Sequence, residues 1–323
     1  MVSVNQEEVS GPIGFVGLGQ MGLQMVQNLA ADGALGIGAH DRADAPFASL
    51  ARHPAWGRNL QRAAALTDLA GASHVVTMLP DSRATNLVIE GDGNAPGLAE
   101  ILAPGAVILD MGSSDPAETL RLAETLSARG IALIDAPVSG TVTRAKAGTL
   151  TIMAGCDEER LERLRPILGR MGSELIATGT AGAAHAMKAL NNYVYAAGLL
   201  AASEALCIAR RLDLDPEIFT RVLNGSSGRN VATETKLAQA ILPESYDGGF
   251  ALALQAKDLR TAAALQKLAG FEAAQLSSCA ALWARAAAAL GPGADNTEIH
   301  RFIDQTNPAP TGQEDDLVTG TYP

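Results

Sequence analysis

The sequence predicts an α/β protein, with an N-terminal doubly wound parallel sheet followed by an all-α C-terminal domain. Three observations predict it. Short apolar runs alternate with helical patterns up to about residue 180. Beyond Gly182 the strand-like runs stop and alanine-rich helical segments take over. The first apolar run opens directly into Gly17-Leu18-Gly19-Gln20-Met21-Gly22 and then into an apolar pattern of helical spacing.

Taken in order, Ile13 to Val16 is long enough for a buried parallel strand. Gly17 suits the tight turn that follows, and Gly19 offers bare backbone for close approach of a pyrophosphate. Gly22 would let the next helix pack against the strand. The pyrophosphate would sit at the N-terminus of that helix, where backbone N–H groups and the macrodipole favour negative charge. This strand, glycine turn and helix read as the start of a Rossmann-type dinucleotide fold. A second apolar stretch from Ala34 ends at Asp41, nineteen residues past Gly22, where an acid accepts hydrogen bonds from the adenosine ribose. Asp41 therefore favours NAD, since a carboxylate repels a 2′-phosphate. Arg42 pulls the other way, because its guanidinium would pair with the 2′-phosphate of NADP.

Further strands are expected at His74–Met78, Val107–Leu109, Ala132–Ile134, Leu150–Ala154 and Glu174–Ala177, all in the same sheet. Met78-Leu79-Pro80 and Asp110-Met111-Gly112-Ser113-Ser114 close two of them. Ligands bind beyond the carboxyl ends of such strands, so both loops should face the cofactor. Asp135-Ala136-Pro137-Val138-Ser139-Gly140-Thr141 closes another, and supplies a hydroxyl and backbone N–H groups where a small carboxylate would dock.

The first helix of the second half is expected over His185–Arg211, 27 residues or about 40 Å. It should connect the two domains. Asp215 and Pro216 then make a cap and first turn for the next helix. Others read near Ala232–Ala240, Gln255–Leu268, Ala274–Leu290 and Asp295–Asp304. The expected domains are residues 11–180 and 181–304, with flexible termini at 1–10 and 305–323.

On the long helix, Lys188 and Asn192 are four residues apart and share one face. A desolvated lysine loses its proton more readily, as a general base for an alcohol must, and in its charged form it donates to a carbonyl oxygen. Asn192 offers a donor and an acceptor to orient a substrate. The same lysine would also suit a snorkelling role, with its ammonium reaching water.

Composition narrows the function. The chain has 323 residues, 47% of them apolar and only 4% aromatic, with a net charge of −11. That balance argues against nucleic acid as a partner. Cys156, Cys207 and Cys279 share no metal or redox spacing, which fits a reducing, cytoplasmic setting with no metal site. Residues 1–8 do not read as a signal peptide, and Glu204 interrupts the longest apolar region, so no membrane span is expected.

Four elements in this order resemble the β-hydroxyacid dehydrogenase family: the glycine fingerprint, the Asp135–Gly140 loop, Lys188-x-x-Asn191-Asn192, and Phe250-x-x-x-Leu254-x-x-Lys257-Asp258-Leu259. The likeness runs from about Ile13 to Asp304. It implies oxidation of a small β-hydroxy acid to its semialdehyde, or the reverse, with NAD or NADP. By position, it implies that Gly17 to Gly22 and Asp41 hold the adenosine half of the cofactor. Leu79, Pro80 and Ser113 line the nicotinamide side, and Lys257 reaches the cofactor, with Asp258 fixing Lys257 or a helix end. Ser139, Gly140 and Thr141 bind the substrate carboxylate, Asn192 helps to hold the substrate, and Lys188 is the acid–base residue. A homodimer or homotetramer is implied as well. Two departures stand out: Thr141 replaces a frequent second glycine, and Gly112-Ser113-Ser114 replaces a frequent Ser-Ser-Thr. An imine reductase of the same architecture is one alternative, though relatives of that kind commonly carry Asp or Tyr at the lysine position. A non-catalytic module using the cofactor fold is the other.

Overall fold

The computed structural model describes residues 11–308, so the expected flexible segments at 1–10 and from 309 onward lie outside the described residues. The chain divides into two compact units, with the boundary between Asn191 and Asn192.

In the first unit, β1 (Ile13–Val16), α1 (Gln20–Ala30), β2 (Ile37–His40), α2 (Ala45–Leu50) and β3 (Leu60–Arg62) come first. Next are β4 (His74–Thr77), α3 (Ser82–Glu90), α4 (Leu98–Ile101), β5 (Val107–Asp110), α5 (Pro116–Ser127) and β6 (Ala132–Asp135). The six strands form one parallel sheet in the order β3-β2-β1-β4-β5-β6. Alternation along each strand feeds two cores. Ile13, Phe15, Ile37, Ala39 and Leu109 join one with Met25, Val26 and Leu29 of α1. Val16, Val75, Ile108 and Leu133 join the other with Ile89, Leu122 and Leu126 of α3 and α5. Helices on both faces are what a parallel sheet with apolar runs requires.

The expected single sheet needs a correction. Leu150–Ala154 and Gly172–Ala177 form a separate three-stranded sheet, as β8 and β9, with β7 (Val138–Ser139). Only Ala136 and Pro137 separate β6 from β7. A parallel neighbour needs a crossover of a dozen or more residues, so the chain turns away from the edge of the first sheet here. β7 pairs antiparallel with β8, and β8 pairs parallel with β9. The helices α6 (Val142–Ala147) and α7 (Glu158–Leu168) fill the connections. Asp157 caps α7 through the Arg160 N–H. The short strands β3 and β7 were not visible as apolar runs. Leu60 is the only buried residue of β3, and β7 has just two residues.

Helix α8 (Ala183–Arg211) begins in the first unit and continues past the boundary. In the second unit it is followed by α9 (Pro216–Gly225), a π-helical stretch over Ala232–Ile241, α10 (Leu252–Ala269), α11 (Ala274–Leu290) and α12 (Ile299–Thr306). Asp215 caps α9 by accepting from the Glu217 and Ile218 N–H groups, with Pro216 in the first turn as expected. Gly270 ends α10 in the left-handed conformation at φ 60°, and α11 then packs along α10. The core here holds Leu199, Leu206, Leu237, Leu259, Leu276 and Trp283, all but inaccessible. Two details differ from expectation. The segment at Ala232 winds with i→i+5 bonds, as in Leu242 N–H to Leu237 O. And α12 takes in Gln305 and Thr306, which the sequence placed in the tail.

Candidate active site

In the first unit, the loops named from sequence all follow the carboxyl ends of the parallel strands. The glycine loop comes after β1. Gly17 has φ +99°, and an added Cβ would stand 2.4 Å from Met78 O. At Gly22 an added Cβ would stand 2.0 Å from Gly17 O. Both glycines are therefore required by the protein itself. Gly19 differs. Its φ of −63° is ordinary, and nothing lies within 4 Å of an added Cβ. Gly19 is also the N-cap of α1, which has no side-chain cap and no acid in its first turn. A helix start of this kind suits a diphosphate. Leu18 is buried under the loop, Gln20 is exposed and Met21 half-buried.

Asp41 follows β2. Its Oδ2 accepts the Leu18 N–H at 2.7 Å and its Oδ1 accepts the Ala43 N–H at 2.7 Å. The carboxylate thus ties the end of β2 to the glycine loop. Each oxygen keeps further lone-pair capacity for a ribose hydroxyl. Arg42 is exposed beside it. The loops after β4 and β5 touch: a Cβ at Gly112 would stand 2.7 Å from Leu79 O, and Asp115 N–H donates to Ser82 Oγ at 2.6 Å. Met78 and Leu79 are half-buried and Pro80 is exposed. Of the two serines after β5, Ser114 turns inward to donate to Asp110 Oδ2 at 2.7 Å, while Ser113 is the more accessible.

After β7, Gly140 takes φ +142°, and a Cβ there would stand 2.8 Å from Leu150 Cδ2. Glycine is needed to turn Ser139 into the start of α6. Thr141 is the N-cap of α6, yet its side chain makes no cap bond and is exposed. Ser139 and Lys188 are both half-buried.

Around the start of α8 lies a buried polar group that sequence reasoning missed. Asp135 is inaccessible and accepts the Gly182 and His185 N–H groups, each at 2.9 Å. Asp110 is buried and accepts from Thr77 Oγ1 at 3.0 Å as well as from Ser114. The His185 ring lies between the two carboxylates, bonded to Thr119 Oγ1 at 2.8 Å. The one signal in the sequence was the pair of aspartates ending adjacent strand-like runs.

In the second unit, Asp258 is buried and its carboxylate bridges two residues. Lys257 Nζ is 3.1 Å from Oδ1, and Asn192 Nδ2 donates to Oδ2 at 2.5 Å. Gln255 Nε2 donates to the Asn192 carbonyl at 3.1 Å. The expectation that Asp258 fixes Lys257 thus has a geometric counterpart, and Asn192 shares the same carboxylate. All three cysteines are buried and unpaired, and burial pushes each thiol up to about 11. Among the described residues no cluster of His, Cys, Asp and Glu could hold a metal ion.

A parallel sheet with a glycine loop open at one position is the frame of a dinucleotide-binding domain. The chain matches the NAD-binding domain of 6-phosphogluconate dehydrogenase over residues 12–179. It also matches the NAD-binding domain of NADP-dependent 3-hydroxyisobutyrate dehydrogenase over residues 182–303. It is 37% identical to 2-(hydroxymethyl)glutarate dehydrogenase of Eubacterium barkeri, over 78% of this chain and 81% of that one. It is 33% identical to human mitochondrial 3-hydroxyisobutyrate dehydrogenase, over 77% of this chain and 73% of that one. Among solved structures it resembles Mycobacterium tuberculosis 3-hydroxyisobutyrate dehydrogenase with L-serine. There the TM-score is 0.79 and the identity 29%, covering 91% of this chain and 99% of that one. The protein belongs to the β-hydroxyacid dehydrogenase family and is an NAD(P)-dependent oxidoreductase of β-hydroxy acids. The named relatives are dehydrogenases, which sets aside the imine reductase and the non-catalytic module as first readings.

Proposed function

We propose that this enzyme interconverts a small β-hydroxy acid and its semialdehyde, with NAD as the preferred cofactor and Lys188 as the acid–base residue. The observation that carries this reading is the alignment of loops on one sheet edge. The glycine loop, Met78–Pro80 and Ser113 follow carboxyl ends of the parallel strands, the Ser139–Thr141 turn comes a few residues beyond the end of β6, after β7 of the second sheet, and α8 starts at the end of β6, anchored on Asp135. The nicotinamide ring, when bound, accepts or returns a hydride. The chain's part is to hold the two reactants and move one proton. Gly17 to Gly22, Asp41 and the loops at Leu79, Pro80 and Ser113 would hold the cofactor, with Lys257 as a further contact. The Ser139 hydroxyl and the Gly140 and Thr141 N–H groups would take the substrate carboxylate. Asn192, one turn beyond Lys188 on α8, would orient the substrate. Lys188 Nζ would accept the hydroxyl proton during oxidation and donate one to the carbonyl oxygen during reduction.

Two coarser features are proposed with it. Val194, Ile208, Leu212, Ile218 and Val222 are each about half or more exposed, at 68, 58, 65, 50 and 56%. So much apolar surface on α8, α9 and the turn between them supports a homo-oligomer, a dimer or tetramer. α8 is long and apolar enough by composition to cross a membrane. The Lys188 and Glu204 charges on it and the packing of Leu199 and Leu206 in the core support the helix of a folded core instead, and a cytoplasmic location is proposed with it.

The test is steady-state kinetics on Lys188→Ala and Lys188→Arg with the best substrate from a panel of hydroxy acids. Lys188→Ala is expected to lower turnover by roughly two to four orders of magnitude with cofactor affinity intact. Lys188→Arg should fail as well, since a guanidinium cannot give up its proton. Near-normal turnover in Lys188→Ala would remove the proposed role.

A further inference from the structure

The buried polar group at the start of α8 has no part in the proton transfer, yet it lies one helical turn before Lys188. Burying two carboxylates and an imidazole is costly unless each is bonded, and here most of their capacity is used. Asp135 spends both oxygens on backbone N–H groups at the start of α8, Gly182 and His185. A carboxylate at a helix N-terminus also gains from the macrodipole. Gly155 makes room for it, since a Cβ there would stand 2.0 Å from Asp135 Oδ1. Asp110, at the end of the neighbouring strand β5, is held by Thr77, Ser114 and the Gly112 N–H.

His185 joins these pieces. Its Nδ1 is 2.8 Å from Thr119 Oγ1, and that hydroxyl lies 3.1 Å from Asp115 O, to which it donates. A hydroxyl has one proton to give, so toward His185 it must accept, and Nδ1 carries the ring proton. Nε2 makes no hydrogen bond and stands 3.8 Å from Asp110 Oδ2, and Nδ1 is 4.0 Å from Asp135 Oδ2, so the ring packs against the carboxylates and its one side-chain bond is to Thr119. The ring is 1% exposed. One side chain on α8 thus meets α5 through Thr119 and lies against the ends of β5 and β6.

We propose that His185 is a positioning residue, which fixes the first turns of α8 against β5, β6 and α5 and so sets where Lys188 stands. This rests on Lys188 being the acid–base residue. His185 and Lys188 are three residues apart on one helix, so a tilt or slide of the first turn moves both together. Such enzymes are sensitive to small errors of placement, and about 1 Å costs on the order of 100-fold.

The experiment compares His185→Leu, His185→Asn, Thr119→Val, Thr119→Ser and Lys188→Ala in the full-length enzyme, with turnover expressed per folded cofactor-binding site. His185→Leu should lower kcat by about 10- to 100-fold while the KM for the hydroxy acid and the NADH dissociation constant change little. His185→Asn places an amide N–H where Nδ1 stands, keeps a donor for Thr119, and should restore most of the lost turnover. Thr119→Val should lower kcat in the same direction, and Thr119→Ser should not. If His185→Leu does not fold, the Thr119 pair decides. A purely structural role would lower the melting temperature and leave kcat per folded site unchanged in both His185→Leu and Thr119→Val, and that result overturns the proposal. Lys188→Ala separates the two claims. If it stays active, the acid–base reading fails, and the positioning role falls with it. If it is inactive while His185→Leu and Thr119→Val turn over normally, only the positioning role fails.

Discussion

Replacing Gly19 with alanine isolates cofactor binding from folding. At this position φ is −63° and the space around an added Cβ is open to 4 Å. The apo protein should accept the methyl group without strain, and removing a glycine reduces the entropy of the unfolded chain by roughly 0.4–1 kcal/mol. Gly19 is also the N-cap of α1, where alanine caps less well than glycine and offsets that gain, so the melting temperature should hold. The bound state is different. The bare backbone at Gly19 is where a pyrophosphate would come closest, and a methyl group there would lengthen or break a hydrogen bond to a charged oxygen. Such a bond is worth about 1.5–3 kcal/mol, which corresponds to a loss of roughly 10- to 150-fold in NAD affinity. Gly17→Ala and Gly22→Ala are the controls. Each would drive a Cβ to within 2.4 and 2.0 Å of a backbone oxygen, and Gly17 also sits at φ +99°. Overpacking alone costs about 1–3 kcal/mol, so both should lower apo stability before any ligand is added. The assay is differential scanning fluorimetry of the apo proteins beside NADH fluorescence titration. A Gly19→Ala protein that binds NADH normally would refute the placement of the pyrophosphate.

The parent enzyme should prefer NAD over NADP by about tenfold or more in kcat/KM through Asp41, whose charge repels a 2′-phosphate; comparable efficiency with NADP would refute this and point to Arg42. Ser139→Ala should raise the KM for the hydroxy acid by about tenfold or more and leave NADH affinity intact; a fall in NADH affinity instead would show that the turn serves the other ligand. Burial, and then the nearby Arg210 charge, hold the His300 imidazole below the usual 6.5. The unfolded chain therefore binds this proton first, and stability should fall as pH drops below about 6.5. His300→Gln should flatten that part of the melting temperature against pH, and an unchanged slope would assign it to other groups.

Much of the fold was legible because its signals are local. Ile13–Val16 and Ala274–Leu290 are continuous patterns, and the structure places both elements at the predicted residues. The glycine fingerprint was legible because two of its glycines are enforced by backbone contacts within a few residues or with the adjacent strand. The separate sheet was not. Val138–Ser139 is too short to carry a period, and it is this strand, two residues after β6, that takes β8 as its antiparallel partner in a second sheet. β3 was missed because an edge strand with one buried residue has no apolar run to read.

The polar core at α8 was illegible for a different reason. Hydrophobic periodicity tells which face of an element is buried, so it treats a buried Asp or His as an interruption of the pattern. Asp110 and Asp135 both read as loop residues at strand ends, and His185 as the first residue of an apolar helix. Their relation depends on the parallel register that sets Asp110 opposite Asp135 on adjacent strands. It depends also on the chain segment from β7 to β9, which lies between Asp135 and the helix it caps, 47 residues further on. No window short enough to reveal a helix or a strand contains both partners. Yet the strand ends are where a parallel sheet presents its ligands, so a charged residue there that turns inward is buried against the frame that holds the site. For this chain the residues proposed to touch substrate come from motifs, and the buried residues proposed to hold them in place became visible only with the register.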